Sequence, residues 1–289
     1  MNGAFRVFRA EAYRLSRSRT AWLAGLFLAA VAALRVLAAH AADMSAHASA
    51  LQRALSQGKA APPMPPPGNA WAPFTDGWLA GLTVGTLLLL IASARTIAAD
   101  RETGLLRLAS TRSVSRAGLV LGRLLQGVLL VALVMLVTGL AAWLAANALF
   151  QFGPLVEDRY EILSAAELRT EFWRAAGATV PPLLATWCFG LAVSALLGSG
   201  IGAVSVALAT WLGFDLFKEA LGEHQYTCFA AFNPSFVDHS CLKQFAGIAR
   251  GLSDAGYSDS LYALNLWLPG PQALVLLMLA IWVTSRRPL

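Results

Sequence analysis

Two histidines and two cysteines lie close together in the segment from residue 222 to residue 261. They are His224, Cys228, His239 and Cys241. Imidazole and thiolate are ligands that copper and zinc accept in proteins, but this spacing matches no standard zinc motif. If the segment lies on the oxidising side of a membrane, the two cysteines can instead form a disulfide. We therefore expect a Cys228–Cys241 disulfide, with a soft metal site as the alternative.

Two ionisable residues lie inside stretches of sequence that are otherwise apolar. Arg35 interrupts the first such stretch, and Asp215 lies near the outer part of the fifth. If these stretches cross a membrane, a charged side chain within them is energetically costly and is a candidate for function. The sequence predicts a structural Arg35–Asp215 pair or side chains that reach the nearby headgroups. A place on a substrate path is the alternative.

A third group of charged residues lies between residues 96 and 116. Asp100 and Glu102 precede a short leucine-containing stretch, and Arg112 and Arg116 follow it. Acidic residues at the start of a helix and basic residues beyond its end interact favourably with the helix dipole. The pattern predicts a short amphipathic helix, and a charged loop that only fixes the topology is the alternative.

Motifs for catalysis are missing from the sequence. The phosphate-binding pattern G-x-x-x-x-G-K-[ST] does not occur, and neither does the zinc-protease pattern H-E-x-x-H. No Ser-His-Asp or Cys-His arrangement has a supporting sequence context, and no pair of carboxylates lies within an apolar stretch. We therefore expect a protein that is not an enzyme and that binds no cofactor directly.

The elements that must position these residues are long and apolar. Hydrophobic residues make up 57% of the 289-residue chain and charged residues only 13%, whereas soluble domains carry about 25% charged residues. Residues 175–214 contain no Asp, Glu, Lys or Arg. As one helix they would measure about 60 Å, twice the thickness of the hydrocarbon core, so we expect a turn at residues 198–202.

These uncharged stretches predict an all-α, polytopic membrane protein with six transmembrane helices. The predicted spans cover residues 21–40, 77–95, 117–147, 174–197, 203–221 and 262–285. An even number of spans places both termini on the same side. Thirteen arginines, against three acidic residues, lie in the N-terminal segment, around the loop after the second span and at the C-terminus.

Positive residues mark the cytoplasmic side of a membrane protein. We therefore expect cytoplasmic termini, a cytoplasmic loop at residues 96–116, and external loops at residues 41–76, 148–173 and 222–261. The net charge of +6 is explained by this orientation, and no nucleic-acid recognition motif accompanies it.

Three segments outside the spans have helical periodicity. In residues 1–20, four apolar residues share one face, which predicts a basic amphipathic helix in the membrane interface. They are Phe5, Phe8, Ala12 and Leu15. A similar spacing from Met44 to Leu55 predicts a short external helix, and the acidic stretch from Glu157 to Glu171 predicts a solvated one. The spans themselves form the domain of residues 21–289.

The loop after the second span resembles that of ABC transporter permeases of the type 2 exporter class. The family pattern runs approximately Glu-x-Gly-Thr-Leu-x-x-Leu-Leu-x-x-Pro-Val-Ser-Arg. The residues at or next to its positions are Glu102, Gly104, Leu106, Leu108, Val114, Ser115 and Arg116. Leu105 replaces the threonine, and Ser113 stands where proline is usual. The N-terminal helix, the six spans and the large last external loop are also similar to the family.

This resemblance implies a membrane subunit in a bacterial inner membrane that pairs with a second copy of itself. A separate ABC-type ATPase would hold ATP and magnesium and would dock on residues 96–116, here named the coupling loop. The residues implied in this contact are Asp100, Arg101, Glu102, Gly104, Leu105, Arg107, Leu108, Arg112, Ser115 and Arg116. The expected function is ATP-driven export of a substrate that the sequence does not identify.

Two other functions are compatible with the sequence. The same fold could pass ATP-driven motion to an extracytoplasmic partner through residues 41–76 and 222–261, with no substrate crossing the membrane. Alternatively, the chain could be a six-span scaffold that works without an ATPase.

Overall fold

The computed structural model describes residues 2–58, 68–104, 115–157, 160–252 and 259–286. The helices in these residues are α1 (Asn2–Arg17), α2 (Arg19–Ser56), α3 (Trp71–Glu102), α4 (Arg116–Leu149), α5 (Ala165–Leu196), α6 (Gly200–Phe217), α7 (Cys241–Ile248), α8 (Asp259–Trp267) and α9 (Pro269–Arg286). Strands β1 (Leu155–Glu157) and β2 (Tyr160–Leu163) form an antiparallel hairpin. Two 3₁₀ helices, Lys218–Thr227 and Phe229–Phe232, follow α6.

Six helical segments are long and apolar enough to cross a membrane, which confirms the predicted fold class. They are α2, α3, α4, α5, α6 with its 3₁₀ extension, and α8 with α9. In the most apolar 18-residue stretch of each segment, 61% of the residues of α3 and 72% of those of α5 are buried, against 17–28% in the other four segments. Helices α3 and α5 therefore form the centre of the folded chain, and the other spans surround them.

Small residues allow the central helices to pack closely. Gly77, Gly81 and Gly85 lie four residues apart and therefore on one face of α3. A Cβ atom at Gly81 would lie 2.7 Å from Cγ2 of Thr138 on α4, and one at Gly77 would meet Val36 on α2. Because lipid is as apolar as the helices themselves, close packing of this kind holds membrane helices together.

Serine residues fix the starts of several helices. The side chain of Ser18 caps α2, Ser115 caps α4 and Ser199 caps α6, each by accepting a hydrogen bond from a backbone N–H in the first turn. At α5, Ser164 and Glu167 form a reciprocal capping box. These caps satisfy backbone donors that have no partner within the helix.

Three predicted boundaries differ from the structure. Helix α2 continues to Ser56 and includes the predicted external helix, because no glycine or proline interrupts residues 26–57. The stretch from Glu157 was predicted to be helical, but the hairpin comes first and α5 begins at Ala165. The last predicted span is divided between α8 and α9 at Pro269, which lacks the N–H that a continuous helix would use.

Candidate functional site

The residues on both sides of segment 105–114 form the candidate site. Six of the predicted coupling residues lie at the end of α3 or the start of α4: Asp100, Arg101, Glu102, Gly104, Ser115 and Arg116. The other four lie outside the described residues: Leu105, Arg107, Leu108 and Arg112. Gly104 has a φ of 72°, a left-handed conformation that glycine adopts without strain and that commonly ends a helix.

Arg101 and Glu102 hold the turn between α5 and α6. Nη1 of Arg101 donates hydrogen bonds to the carbonyl oxygens of Leu197, at 2.9 Å, and Ala195, at 3.4 Å. Oε2 of Glu102 accepts a hydrogen bond from the N–H of Gly200 at 3.1 Å. The cation therefore lies at the negative end of α5 and the anion at the positive end of α6, where each is favoured by the helix dipole.

Arg123 connects three helices through a buried guanidinium. Its Nη1 lies 2.9 Å from Oε1 of Glu11 on α1, and its Nη2 pairs with Oδ2 of Asp100 on α3. Nη1 also donates to Oε1 of Gln126 on α4 itself, at 3.1 Å. The Arg123 side chain is only 7% exposed, so its removal would leave two carboxylates in a poorly solvated site.

Arg116 joins the start of α4 to the end of α9. Its Nη1 donates to the carbonyl oxygens of Ser285, at 2.6 Å, and Thr284, at 3.4 Å. These carbonyls belong to the last turn of α9, where the helix has unsatisfied acceptors and a partial negative charge. The residue before it, Ser115, caps α4 through a 3.0 Å hydrogen bond from the N–H of Gly118.

Further contacts fix α5 beside these ion pairs. Nε1 of Trp187 donates to the carbonyl oxygen of Arg123 at 3.0 Å, and the indole ring lies against Gly127. Oγ of Ser194 accepts from the backbone N–H groups of Ile97, at 3.0 Å, and Ala98, at 2.9 Å. The end of α3 is therefore bonded directly to α4 and α5, and Arg123 links it to α1.

The central part of this arrangement, the pairing of Arg123 with Glu11 and Asp100, is not among the contacts predicted from the sequence. Arg123 was counted only as evidence for orientation, although it is a charged residue two turns into an otherwise apolar helix. Glu11 is the only acidic residue among the arginines of α1. These two isolated charges were the available signal, but their pairing depends on how α1 packs against α4.

The predicted pair between Arg35 and Asp215 is wrong, because each residue has a nearer partner. Arg35 lies 3.5 Å from Asp76 on α3, and Arg250 pairs with the same carboxylate. Asp215 is buried beside Lys218, with 2.8 Å between Oδ1 and Nζ. Lys218 also donates to Oγ of Ser235 at 3.1 Å, and Asp215 accepts from the N–H of Phe236 at 3.1 Å. This buried pair anchors the segment that follows α6.

The predicted disulfide is also wrong, because no disulfide joins Cys228 and Cys241. Cys241 lies in the large core and contacts the side-chain amide of Asn265, whereas Cys228 packs against the separate core around α6. Burial raises the pKa of the Cys228 thiol. Among the residues that the structure describes, no group of three or more His, Cys, Asp or Glu could hold a metal ion, so the alternative metal site is not formed either.

Asp238 and His239 form a titratable pair of neighbours in the segment before α7. Burial raises the pKa of Asp238 to about 6, although hydrogen bonds from Ser240 and the charges of Lys218 and Lys243 act in the opposite direction. Burial, followed by the positive charge of Lys218, lowers the pKa of His239. Both environments therefore favour the neutral side chain.

The comparison with protein families agrees with this architecture. Residues 5–249, from α1 to the residue after α7, match the family described as "ABC-2 family transporter protein". No curated protein matches the chain. The match covers most of the chain and includes the coupling loop and its described contacts, except those of Arg116 with Thr284 and Ser285 of α9. The chain therefore belongs to the ABC-2 transporter family, whose members are membrane permease components of ABC transporters.

Proposed function

We propose that this protein is the permease subunit of an ATP-driven exporter and that it works as a dimer with a separate ABC-type ATPase. The family implies an ABC ATPase partner in general. In this proposal the ATPase binds ATP and magnesium and docks on the coupling loop, residues 96–116. In the proposal the termini and this loop face the cytoplasm of a bacterial inner membrane, and the distribution of arginines supports this orientation.

The observation that carries the proposal is that the described residues on both sides of segment 105–114 are bonded to the surrounding helices. Arg101 and Glu102 bind the α5–α6 turn. Arg123 pairs with Asp100 and with Glu11 of α1. Arg116 binds the end of α9. A displacement of these flanking residues would therefore be transmitted through the contacts to α1, α3, α4, α5, α6 and α9.

The strength of these contacts matters for such a role. Hydrogen bonds to charged groups contribute about 1.5–3 kcal/mol each, and separating a buried ion pair costs about 3–5 kcal/mol when one charge is left without its partner. The ends of the loop are therefore expected to move with the helices. A loop attached by exposed ion pairs would yield instead, because such pairs contribute only about 0–1 kcal/mol.

The proposal is tested by isolating the full-length protein from its native membrane and measuring the ABC-type ATPase that accompanies it. The double variant Leu105→Asp/Leu108→Asp places two charges on the predicted docking face of the coupling loop. Losing apolar contacts at the centre of an interface costs at least about 2 kcal/mol, so we expect more than about tenfold less ATPase. The matched control is Leu55→Asp/Leu252→Asp, at two leucines that are exposed in the structure.

The control should retain the ATPase at the wild-type level. Equal recovery with both double variants would contradict docking on the coupling loop. Absence of any phosphate-loop ATPase from the wild-type preparation would favour the six-span scaffold instead.

A second function deserves a test because α2 extends beyond its predicted span. Most of residues 41–56 of α2 are exposed and none is buried, and as a helix they project by roughly 24 Å. This projection suits the transmission of motion to an extracytoplasmic partner without transport. A structure of the dimer with its ATPase would separate the two functions: a continuous lumen supports export, and a closed dimer interface with a displaced α2 extension supports force transmission.

A further inference from the structure

Helix α1 presents a surface that carries only positive charge. Five arginines of the N-terminal segment are exposed: Arg6, Arg9, Arg14, Arg17 and Arg19. The only acidic residue among the first 20 residues is Glu11, and its carboxylate is turned towards α4, where it pairs with buried Arg123. No carboxylate of α1 therefore offsets the arginines at the exposed surface.

Large aromatic side chains lie beside these arginines. Phe5 and Tyr13 are each 61% exposed and Trp22 is 71% exposed. The guanidinium of Arg17 lies 5.3 Å from the ring centre of Tyr13, and Nε1 of Trp22 donates to the carbonyl oxygen of Ser16 at 3.0 Å. Aromatic residues combined with arginine are typical of the level of lipid headgroups.

The connection between α1 and α2 places this surface at the membrane. A single residue, Ser18, separates the end of α1 from the start of α2, and α2 is a membrane-spanning helix. The arginines therefore lie at the height of the headgroups. A positive surface at this height is complementary to anionic phospholipids, and each arginine close to such a surface raises the affinity about fivefold.

Tight packing connects the position of α1 to the coupling loop. A Cβ atom at Gly122 of α4 would lie 2.7 Å from Cβ of Val7 and 2.9 Å from the carbonyl oxygen of Ala4. One helical position further along α4, Arg123 pairs with both Glu11 and Asp100. A change in the docking of α1 therefore changes how strongly Arg123 pairs with Glu11 relative to Asp100. Asp100 lies near the end of α3, within the coupling loop.

We propose that α1 is a sensor of anionic phospholipid headgroups and that Arg123 transmits its docking to the base of the coupling loop through Glu11 and Asp100. This inference rests on the proposed cytoplasmic orientation. It adds regulation by lipid composition to the proposed function. It does not require that the coupling loop bind an ATPase.

The test measures backbone hydrogen exchange of the full-length protein in lipid nanodiscs with increasing fractions of phosphatidylglycerol in phosphatidylcholine. Docking suppresses local opening, so exchange should slow at residues 2–17 and also at residues 98–104 and 115–123. No ATPase is present, so failure of this test and failure of ATPase docking are distinguishable. Inorganic phosphate added to pure phosphatidylcholine nanodiscs should leave exchange unchanged, and slowing there would overturn the assignment to a lipid surface.

Two variants separate docking from transmission. In Arg6→Gln/Arg9→Gln the affinity of α1 for phosphatidylglycerol should fall about 25-fold, because each arginine contributes about fivefold. The slowing of α1 exchange by phosphatidylglycerol should weaken accordingly. The matched control, Arg53→Gln/Arg169→Gln, removes two exposed arginines elsewhere and should respond as the wild type does. In Glu11→Gln, α1 should still respond to the lipid, while residues 98–104 should no longer do so.

Two results of these hydrogen-exchange experiments would overturn parts of the proposal. Equal α1 exchange in zwitterionic and anionic nanodiscs would overturn the lipid sensor. A lipid response at residues 98–104 that persists in Glu11→Gln would overturn transmission through Arg123.

Discussion

Nη1 of Arg123 lies 2.9 Å from Oε1 of Glu11, so a buried ion pair joins the amphipathic helix α1 to the membrane-spanning helix α4. The other terminal nitrogen of the same guanidinium pairs with Asp100 at the end of α3. A single side chain thus balances two carboxylates contributed by two other helices. Because all three side chains are mostly buried, solvent compensates poorly for the loss of any one of them.

The first prediction concerns this arginine. Arg123→Gln leaves two carboxylates without their cation, so we expect a loss of about 3–5 kcal/mol in the free energy of unfolding. Arg169→Gln, at an exposed arginine, should change it by less than about 0.5 kcal/mol. The measurement is reversible unfolding in mixed micelles. The triple variant Arg123→Met/Glu11→Gln/Asp100→Asn should recover most of the loss, and wild-type stability of Arg123→Gln would contradict the role of the ion pairs.

A second prediction concerns the turn between α5 and α6. Glu102→Ala removes the acceptor of the Gly200 N–H, which is worth about 1–2 kcal/mol. Hydrogen exchange at Gly200 should therefore become about 5- to 30-fold faster. Glu102→Gln keeps an acceptor oxygen and should have a smaller effect. Glu161→Ala, at an exposed carboxylate of β2, is the control, and equal exchange rates in the Glu102 and Glu161 variants would refute the contact.

The third prediction compares two glycines of α5. A Cβ atom at Gly190 would lie 2.8 Å from Cβ of Ser93 and would also meet Oγ of that residue, whereas a Cβ atom at Gly177 would meet nothing within 4 Å. Gly190→Ala should therefore separate α3 from α5 and cost about 1–3 kcal/mol. Gly177→Ala should stabilise the helix by about 0.4–1 kcal/mol. Apparent melting temperatures in detergent test the opposite signs, and a shift in the same direction would argue against this packing.

The fourth prediction concerns pH and Asp238. Burial raises the pKa of Asp238 from the ordinary value of 3.8 to about 6. The stability gained from the neutral carboxyl is therefore fully present below pH 3.8 and is lost as the pH rises to about 6. Above that pH the wild type should be roughly 1–3 kcal/mol less stable than Asp238→Asn, whose side chain stays neutral.

Thermal unfolding of the two proteins between about pH 4 and pH 7 measures this difference. The pKa of neighbouring His239 is lowered, so the stability from its neutral form is lost as the pH falls below its ordinary pKa of 6.5. His239 is present in both proteins, so its contribution cancels in the comparison. A gap between the two curves that does not widen with pH would disprove the burial of a neutral Asp238.

The fifth prediction concerns the thiols. No disulfide joins any two of Cys188, Cys228 and Cys241, so alkylation of the denatured protein without reductant should attach three labels to each chain. Intact mass spectrometry counts them. A reductant should not change the count, and a single label in the unreduced protein would restore the Cys228–Cys241 disulfide.

The sequence was sufficient to predict the spanning helices. The forty uncharged residues of 175–214 have few alternatives in a bilayer, because every backbone group must be satisfied within the segment. The turn between α5 and α6 was equally predictable, because Gly198 to Gly202 divides a stretch too long for one span and Ser199 caps the helix that follows.

The sequence was less informative about where helices end in water. Outside the hydrocarbon no thickness limits the length of a helix, so α2 continues to Ser56. The hairpin before α5 shows the same limitation, since an acidic periodic stretch is compatible with both a helix and exposed strands. Pro269 was visible in the sequence as a helix interruption, but it divides the last span into α8 and α9 only in the folded chain.

The sequence by itself determined that this chain is a six-span membrane protein with its charges gathered at the ends of the spans, because hydrocarbon excludes charge and exposed backbone alike. Only the tertiary structure decided which charges meet. Arg123 pairs with Glu11 and Asp100, Arg35 with Asp76, and Asp215 with Lys218. The physical reason is that a buried charge requires some partner, while its identity depends on which helix faces small residues such as Gly81, Gly122 and Gly190 bring into contact.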